Sequence, residues 1–224
     1  MQKAVIFDVD GTLIDSVDLH AKAWQDAFGD YGHEIAFDEL RSQIGKGGDQ
    51  LMPVFLSEEE VDAKGEDLEQ HRSQILKDRY LPKVRPFPMV RELLQRIQAD
   101  GVQIALASSA KQDELQVYKK AAHIEDLLQA ETSSDDAKES KPNPDIFEAA
   151  LKHLGGLAPE QAIVVGDTPY DAEAAGKAGL RIIGLLCGGW SAADLKAAGC
   201  IATYKDPADL LAQYDTSPLG TRPA

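Results

Sequence analysis

Two aspartates one residue apart close an apolar run in "AVIFDVDGT", residues 4 to 12, and the pairing poses a chemical problem. Asp8 and Asp10 repel each other at close range unless positive charge lies between them. Three later stretches hold groups that could meet them. "IALASSA" ends at Ser108 and Ser109, "KESKPNPDIF" carries Lys141, and "IVVGDTPYDAEAA" carries Asp167 and, four residues on, Asp171. Asp8, Asp10 and Asp167 together would make a hard-oxygen site of the kind that suits Mg2+ and leaves room for a substrate phosphate. The metal and Lys141 would supply the positive charge. Asp8 could then attack phosphorus as a carboxylate nucleophile, and Asp10 could move protons to the leaving group and from water. Ser108 and neighbouring N–H groups could hold phosphoryl oxygens. Singly, each piece has a plainer reading. The aspartate pair could be structural or a simple cation site, the serine a turn residue, the lysine a solvated loop charge and Asp171 a helix cap.

These residues can meet only if the chain brings several strand ends together. Short apolar runs recur as "AVIFDV", "QIALAS", "LLQAET", "AIVVGD" and "RIIGLL", separated in the later part by helical patterns ending in Gly. In "DIFEAALKHLGG", Ile146, Phe147, Ala150, Leu151 and Leu154 form one stripe. Strand and helix in alternation predict an α/β fold, a parallel sheet covered by helices on both faces. Ligands in such sheets bind beyond the carboxyl ends of the strands, where Asp8, Ser108 and Asp167 fall. Residues 15 to 82 interrupt the alternation with four helical patterns, one opened by a Ser57–Glu60 capping box. The expected organisation is a core of residues 1–14 and 83–224 with a helical insertion at 15–82. Its linkers lie near Leu13–Val17 and Leu81–Pro88. The tail "DTSPLGTRPA" reads as disordered.

The 224 residues carry 23 Lys and Arg against 38 Asp and Glu, a net charge of -15. That balance argues against nucleic acid and anionic membrane as partners, while an anionic small molecule needs only local cations. Cys187 and Cys200 fit no metal motif and read as buried thiols of a reducing compartment. The amino-terminal stretch has neither a signal-peptide pattern nor a long apolar run, so the expected location is cytoplasmic. A monomer is expected rather than an oligomer.

"DVDGT", "ALASS", "SKPNPDIF" and "GDTPYD" resemble the four motifs of the haloacid dehalogenase superfamily, across residues 4 to about 190. The resemblance implies a Rossmann-like core with a helical cap domain, residues 15–82, inserted after the first motif, Asp8 as nucleophile and Asp10 as general acid/base. It implies Ser108, with Ser109 beside it, and Lys141 as phosphoryl-group ligands. It makes Asp8, Asp10 and Asp167 the metal site, with Asp171 supporting Mg2+ or Lys141. A second aspartate at position 10 favours phosphoryl transfer over dehalogenation.

The helix "DSVDLHAKAWQDAF" resembles the first cap helix of beta-phosphoglucomutase and related sugar-phosphate phosphatases. His20 either faces the active site or packs the cap, and Trp24 and Phe28 read as cap packing. In "IGKGGDQL", Lys46 is either a substrate contact or a solvated turn lysine. The mutase pattern has an arginine in this turn, whereas here Arg41 and Arg72 are expected on helices outside it. The reading is therefore a magnesium-dependent phosphatase of a small phosphorylated metabolite, phosphoglycolate or a sugar phosphate. The alternatives are a phosphosugar mutase and a catalytically silent binding protein on the same fold.

Overall fold

A computed structural model describes residues 2–220. Six parallel strands form the main sheet: β1 (Ala4–Phe7), β4 (Gln103–Ala107), β5 (Ala130–Thr132), β6 (Ala162–Gly166), β7 (Arg181–Leu185) and β8 (Ala202–Tyr204). Their order is β5-β4-β1-β6-β7-β8. The sheet is apolar on both faces because both are covered. One face presents Val5, Phe7, Ile104, Leu106, Ile163 and Val165. The helices α5 (Val90–Ala99), α6 (Gln112–Ala122) and α10 (Pro207–Ala212) supply Leu93, Leu115 and Leu210 to that core. The other face is built from smaller residues, including Ala4, Ala105, Ala107 and Ala162. It receives α7 (Asp145–His153), α8 (Pro169–Lys177) and α9 (Ala192–Ala197), with Phe147 and Leu195 filling the space the alanines leave.

Register fixes the site. Phe7 of β1 stands beside Leu106 of β4 and Val165 of β6. Asp8, Ser108 and Asp167 therefore emerge from three neighbouring strands at nearly one level. The strand order diverges on either side of β1, which opens a crevice at that edge.

Residues 17–80 are helical: α1 (Val17–Asp30), α2 (Phe37–Arg41), α3 (Gly48–Phe55), α4 (Glu58–Ile75) and a wider turn at Leu76–Tyr80. They have a core of their own around Trp24, Phe28, Leu51, Leu68 and Leu76. On α1 the stripe Val17, Ala21, Trp24, Phe28 is buried, with Trp24 and Phe28 rings 5.5 Å apart. The Ser57–Glu60 capping box is formed.

Three features differ from the sequence expectation. The two linkers pair as an antiparallel ribbon of β2 (Ile14–Asp15) with β3 (Arg85–Pro86), strands too short to show any periodicity. β8 is missed for the same reason. The tail is ordered through Gly220: the Ser217 hydroxyl donates to the Tyr214 carbonyl at 2.7 Å, and Leu219 packs into the core beside α10. Residues 221–224 of the tail lie outside the described residues.

Candidate active site

β1 delivers Asp8 into a buried position where each carboxylate oxygen is met. Lys141 Nζ donates to Oδ1 at 2.5 Å. The Thr12 hydroxyl lies 3.0 Å from Oδ2 and 2.8 Å from Asp167 Oδ1, able to serve either carboxylate. Lys141 is fully enclosed. It also lies 2.7 Å from Asp171 Oδ1 and donates to the Ala107 carbonyl at 3.2 Å. Asp171 has a double task. Its Oδ2 accepts from the Thr168 backbone and hydroxyl at the start of α8, at 3.0 and 2.7 Å, while Oδ1 faces Lys141. The helix cap and the supporting ion pair are thus one residue.

Oxygens of Asp8, Asp167 and Asp171 lie within 4.8 Å of one another, all buried. Asp167 Oδ2 has no hydrogen-bond partner among the described residues. Glycines keep the space around it clear. A Cβ at Gly188 would stand 1.6 Å from that oxygen and one at Gly11 2.4 Å. Gly11 also has φ +84°, a conformation glycine adopts without strain.

The electrostatics follow from crowding. Burial, with help from Asp171 and Asp10 and against Lys141, pushes the Asp8 carboxyl up to about 7. Burial and the neighbouring carboxylates push Asp167 well above the ordinary range. Burial alone would lower Lys141, but Asp171 and Asp8 outweigh it and hold the ammonium firmly charged. One lysine does not balance three carboxylates. The oxygen donors, the unpartnered Asp167 Oδ2 and the glycine-cleared space fit a small hard divalent cation.

Asp10 departs from the expected metal set. Its Oδ1 accepts from the Ser16 hydroxyl at 2.6 Å and lies 2.9 Å from His20 Nε2, and the Ser108 hydroxyl is 3.4 Å from Oδ2. These partners turn its carboxylate out of the Asp8–Asp167–Asp171 cluster toward the helical unit. Burial works to raise Asp10, but His20 and Ser16 overcome it and the carboxyl is held below its usual range. The Tyr118 hydroxyl stands 2.8 Å from His20 Nε2 on the far side.

His20 therefore faces the site. Asp8, Asp10, His20, Lys46 and Ser109 line one pocket between sheet edge and helices. Ser108 is buried behind it, where its oxygen also accepts from the Ala110 backbone at 3.0 Å. Lys46 is at the pocket wall but already engaged. It donates to Gln43 at 2.6 Å and lies 4.7 Å from the Tyr170 ring centre. Arg72 lies on a helix outside the glycine-rich turn, as expected, yet its side chain reaches the pocket. It lines the same pocket from α4, beside Glu114 of α6. Thr12 and Ser16 carry a sequence signal, since both flank the aspartate pair. Tyr118, Arg72 and Glu114 sit at ordinary helical positions and carry none.

The family profile of haloacid dehalogenase-like hydrolases matches residues 5–185. A phosphorylated carbohydrates phosphatase of Thermotoga maritima is 28% identical over 93% of this chain and 96% of its own length. A phosphoglycolate phosphatase of Aliivibrio fischeri is 29% identical over 83% and 85%. The crystal structure of a hydrolase from Pseudomonas syringae superposes with a TM-score of 0.87 at 30% identity, covering 96% of this chain and 99% of that one. With the strand-end aspartates and the enclosed lysine, these matches establish that the chain is a haloacid dehalogenase-like hydrolase.

Proposed function

We propose that the protein is a magnesium-dependent phosphatase of a small phosphorylated metabolite. The observation that carries this reading is the buried excess of carboxylate around Asp8, with Asp167 Oδ2 unpartnered and kept clear by two glycines. The names of the relatives from Thermotoga maritima and Aliivibrio fischeri support it. Asp8 and Asp167 are the carboxylates that would hold Mg2+, with Asp167 Oδ2 unpartnered, while Asp171 braces Lys141 and caps the start of α8. When bound, the ion supplies positive charge to the phosphoryl oxygens.

The steps belong to the chain. Lys141 and Thr12 hold the Asp8 carboxylate in one orientation. Asp8 attacks phosphorus, the bond to the leaving oxygen breaks, and Asp10 delivers a proton to that oxygen. The resting environment keeps Asp10 ionised. An entering phosphate dianion raises its proton affinity, since a nearby like charge disfavours the carboxylate. Water then attacks the phosphoryl group on Asp8 and passes a proton to Asp10, which releases inorganic phosphate and restores the Asp8 carboxylate. His20 and Ser16 hold Asp10 in place through both half-reactions. Residues 15–82 act as a cap over the pocket, carried on the β2–β3 ribbon, and exclude bulk water from the phosphoenzyme.

A mutase must grip a second phosphate on the cap side. Lys46 is tied to Gln43 and Tyr170, and Arg72 faces two carboxylates, Glu69 at 3.4 Å and Glu114 at 3.8 Å. Neither offers a free guanidinium fork for a second phosphate. A silent binding protein would gain nothing from an enclosed Asp8–Lys141–Asp171 arrangement that is costly to desolvate. The test is hydrolysis of p-nitrophenyl phosphate with and without Mg2+, in the wild type and in Asp8→Asn. Magnesium-dependent phosphate release that disappears in Asp8→Asn is expected. Turnover after complete chelation, or near-normal turnover in the variant, would refute the proposal.

A further inference from the structure

Arg72 and Glu114 come from different units of the fold and lie 3.8 Å apart in the wall of the pocket. Arg72 is 6% exposed and Glu114 is fully buried. Both line the pocket that holds Asp8 and Asp10. Neither is satisfied. Arg72 Nε and Glu114 Oε2 have no hydrogen-bond partner among the described residues. The rest of each group is loosely held. Glu114 Oε1 accepts from the Ser73 hydroxyl at 3.2 Å and lies 3.8 Å from Arg72 Nη1. Arg72 Nη2 is 3.4 Å from Glu69 Oε1, and the guanidinium lies 5.1 Å from the Trp24 ring centre.

Leaving a buried donor and a buried acceptor unpaired is expensive, so such groups mark a ligand that completes them. The missing ligand must offer a donor to Glu114 Oε2 and an acceptor to Arg72 Nε–H. A hydroxyl is both at once. A carboxylate or a second phosphate is acceptor only. It would satisfy Arg72 and meet Glu114 as a like charge where no water screens it. Around Arg72 itself, carboxylates outnumber the cation. Arg72 is opposed by Glu69 and Glu114, and Lys46 is taken up by Gln43 and Tyr170.

We propose that Arg72 and Glu114 form a hydroxyl-reading pair at the leaving-group end of the pocket, which selects the monophosphate of a neutral polyhydroxylated compound over phosphorylated carboxylic acids and bisphosphates. The pair bridges α4 and α6, so a substrate hydroxyl seated between them also ties the helical unit to the core over the reacting phosphate. This inference deepens the phosphatase reading and depends on it.

The experiment measures kcat/KM with Mg2+ on glucose 6-phosphate, sorbitol 6-phosphate, their monodeoxy analogues, 2-phosphoglycolate and p-nitrophenyl phosphate. Release of phosphate from p-nitrophenyl phosphate examines the phosphatase reading alone, and its absence would sink that reading before the pair is reached. Given that activity, the polyol monophosphates are expected to surpass 2-phosphoglycolate at least tenfold. In Glu114→Gln and Arg72→Gln the ratio of kcat/KM for the better polyol phosphate to that for p-nitrophenyl phosphate falls roughly 10- to 100-fold, the worth of a buried hydrogen bond to a charged group. Should either variant melt early, the wild type with deoxy analogues makes the same measurement. One analogue is then expected to lose a comparable factor. A wild-type preference for 2-phosphoglycolate, equal losses on both substrate types in folded variants, or indifference to every deoxygenation would each overturn the pair.

Discussion

The two sides of the pocket are built on opposite electrostatic plans. On the sheet side, Asp8, Asp167 and Asp171 crowd around one lysine, and burial pushes the Asp8 carboxyl up to about 7. On the helical side, Arg72 meets Glu69 and Glu114 while Lys46 rests against Gln43 and Tyr170. The first side carries unbalanced charge, which suits an ion and a phosphate. The second is near balance, which suits a neutral group. A single pocket can thus separate the part of a substrate that reacts from the part that is recognised.

That contrast can be broken most severely at Lys141. Lys141→Met leaves three buried carboxylates with no cation of the protein's own. The expected result is a loss of about 3–5 kcal/mol of stability, the typical cost of breaking a buried ion pair, together with loss of turnover. Urea unfolding without metal reads the first and p-nitrophenyl phosphate hydrolysis the second. A variant as stable as wild type would show that the sheet side is not electrostatically strained.

Proton and metal should compete on the same side. The folded Asp8 carboxyl titrates near 7 against an ordinary 3.8, so the folded state binds more protons than the unfolded chain between those values. Without metal, this group makes stability fall as pH rises from about 4 to about 7. Mg2+ must displace that proton, so the rise in melting temperature on adding Mg2+ should be larger at about pH 8 than at about pH 5.5. An equal rise at both would remove Asp8 from the metal site.

Gly188→Ala sharpens the contrast without touching a charge. The added methyl would overlap Asp167 Oδ2. Weaker activation by Mg2+, seen as a higher metal concentration at half-maximal rate, is expected with the helical side intact. The smallest effect should come from Ser57→Ala. It removes the capping box of α4 at an exposed end remote from the pocket, costs about 1 kcal/mol in thermal or urea unfolding, and leaves turnover unchanged.

The two sides also differ in how far sequence alone reveals them. Asp8, Ser108 and Asp167 are legible because each follows an apolar run, and parallel strands deliver their carboxyl ends to one edge. Lys141 and Asp171 become legible only through the order of the motifs, since a loop lysine and a helix-cap aspartate have ordinary explanations. The Asp10 side chain lies outside the Asp8, Asp167 and Asp171 cluster for a local cause. The chain turns at Gly11, and Ser16 and His20 draw the carboxylate the other way. Tyr118, Arg72 and Glu114 stay hidden for a geometric reason. Amphipathic pattern gives the buried stripe of α4 or α6, but not the few positions that look across to another unit. Those are decided when the helices meet the sheet edge, and β2 and β3, which join the units, are two residues each.

The central claim is that Asp8 and Asp10 divide nucleophile from proton carrier. Asp10→Asn keeps Asp8, Lys141 and Asp167 and removes the carboxylate proposed to activate water. Mixing this variant with Mg2+ and p-nitrophenyl phosphate, whose leaving group needs no acid, and reading the intact mass followed by peptide mapping tests the division in one step. The account predicts one added phosphoryl group, located on Asp8, that decays slowly. Steady turnover at the wild-type rate, or a phosphoryl group on any other residue, would contradict it.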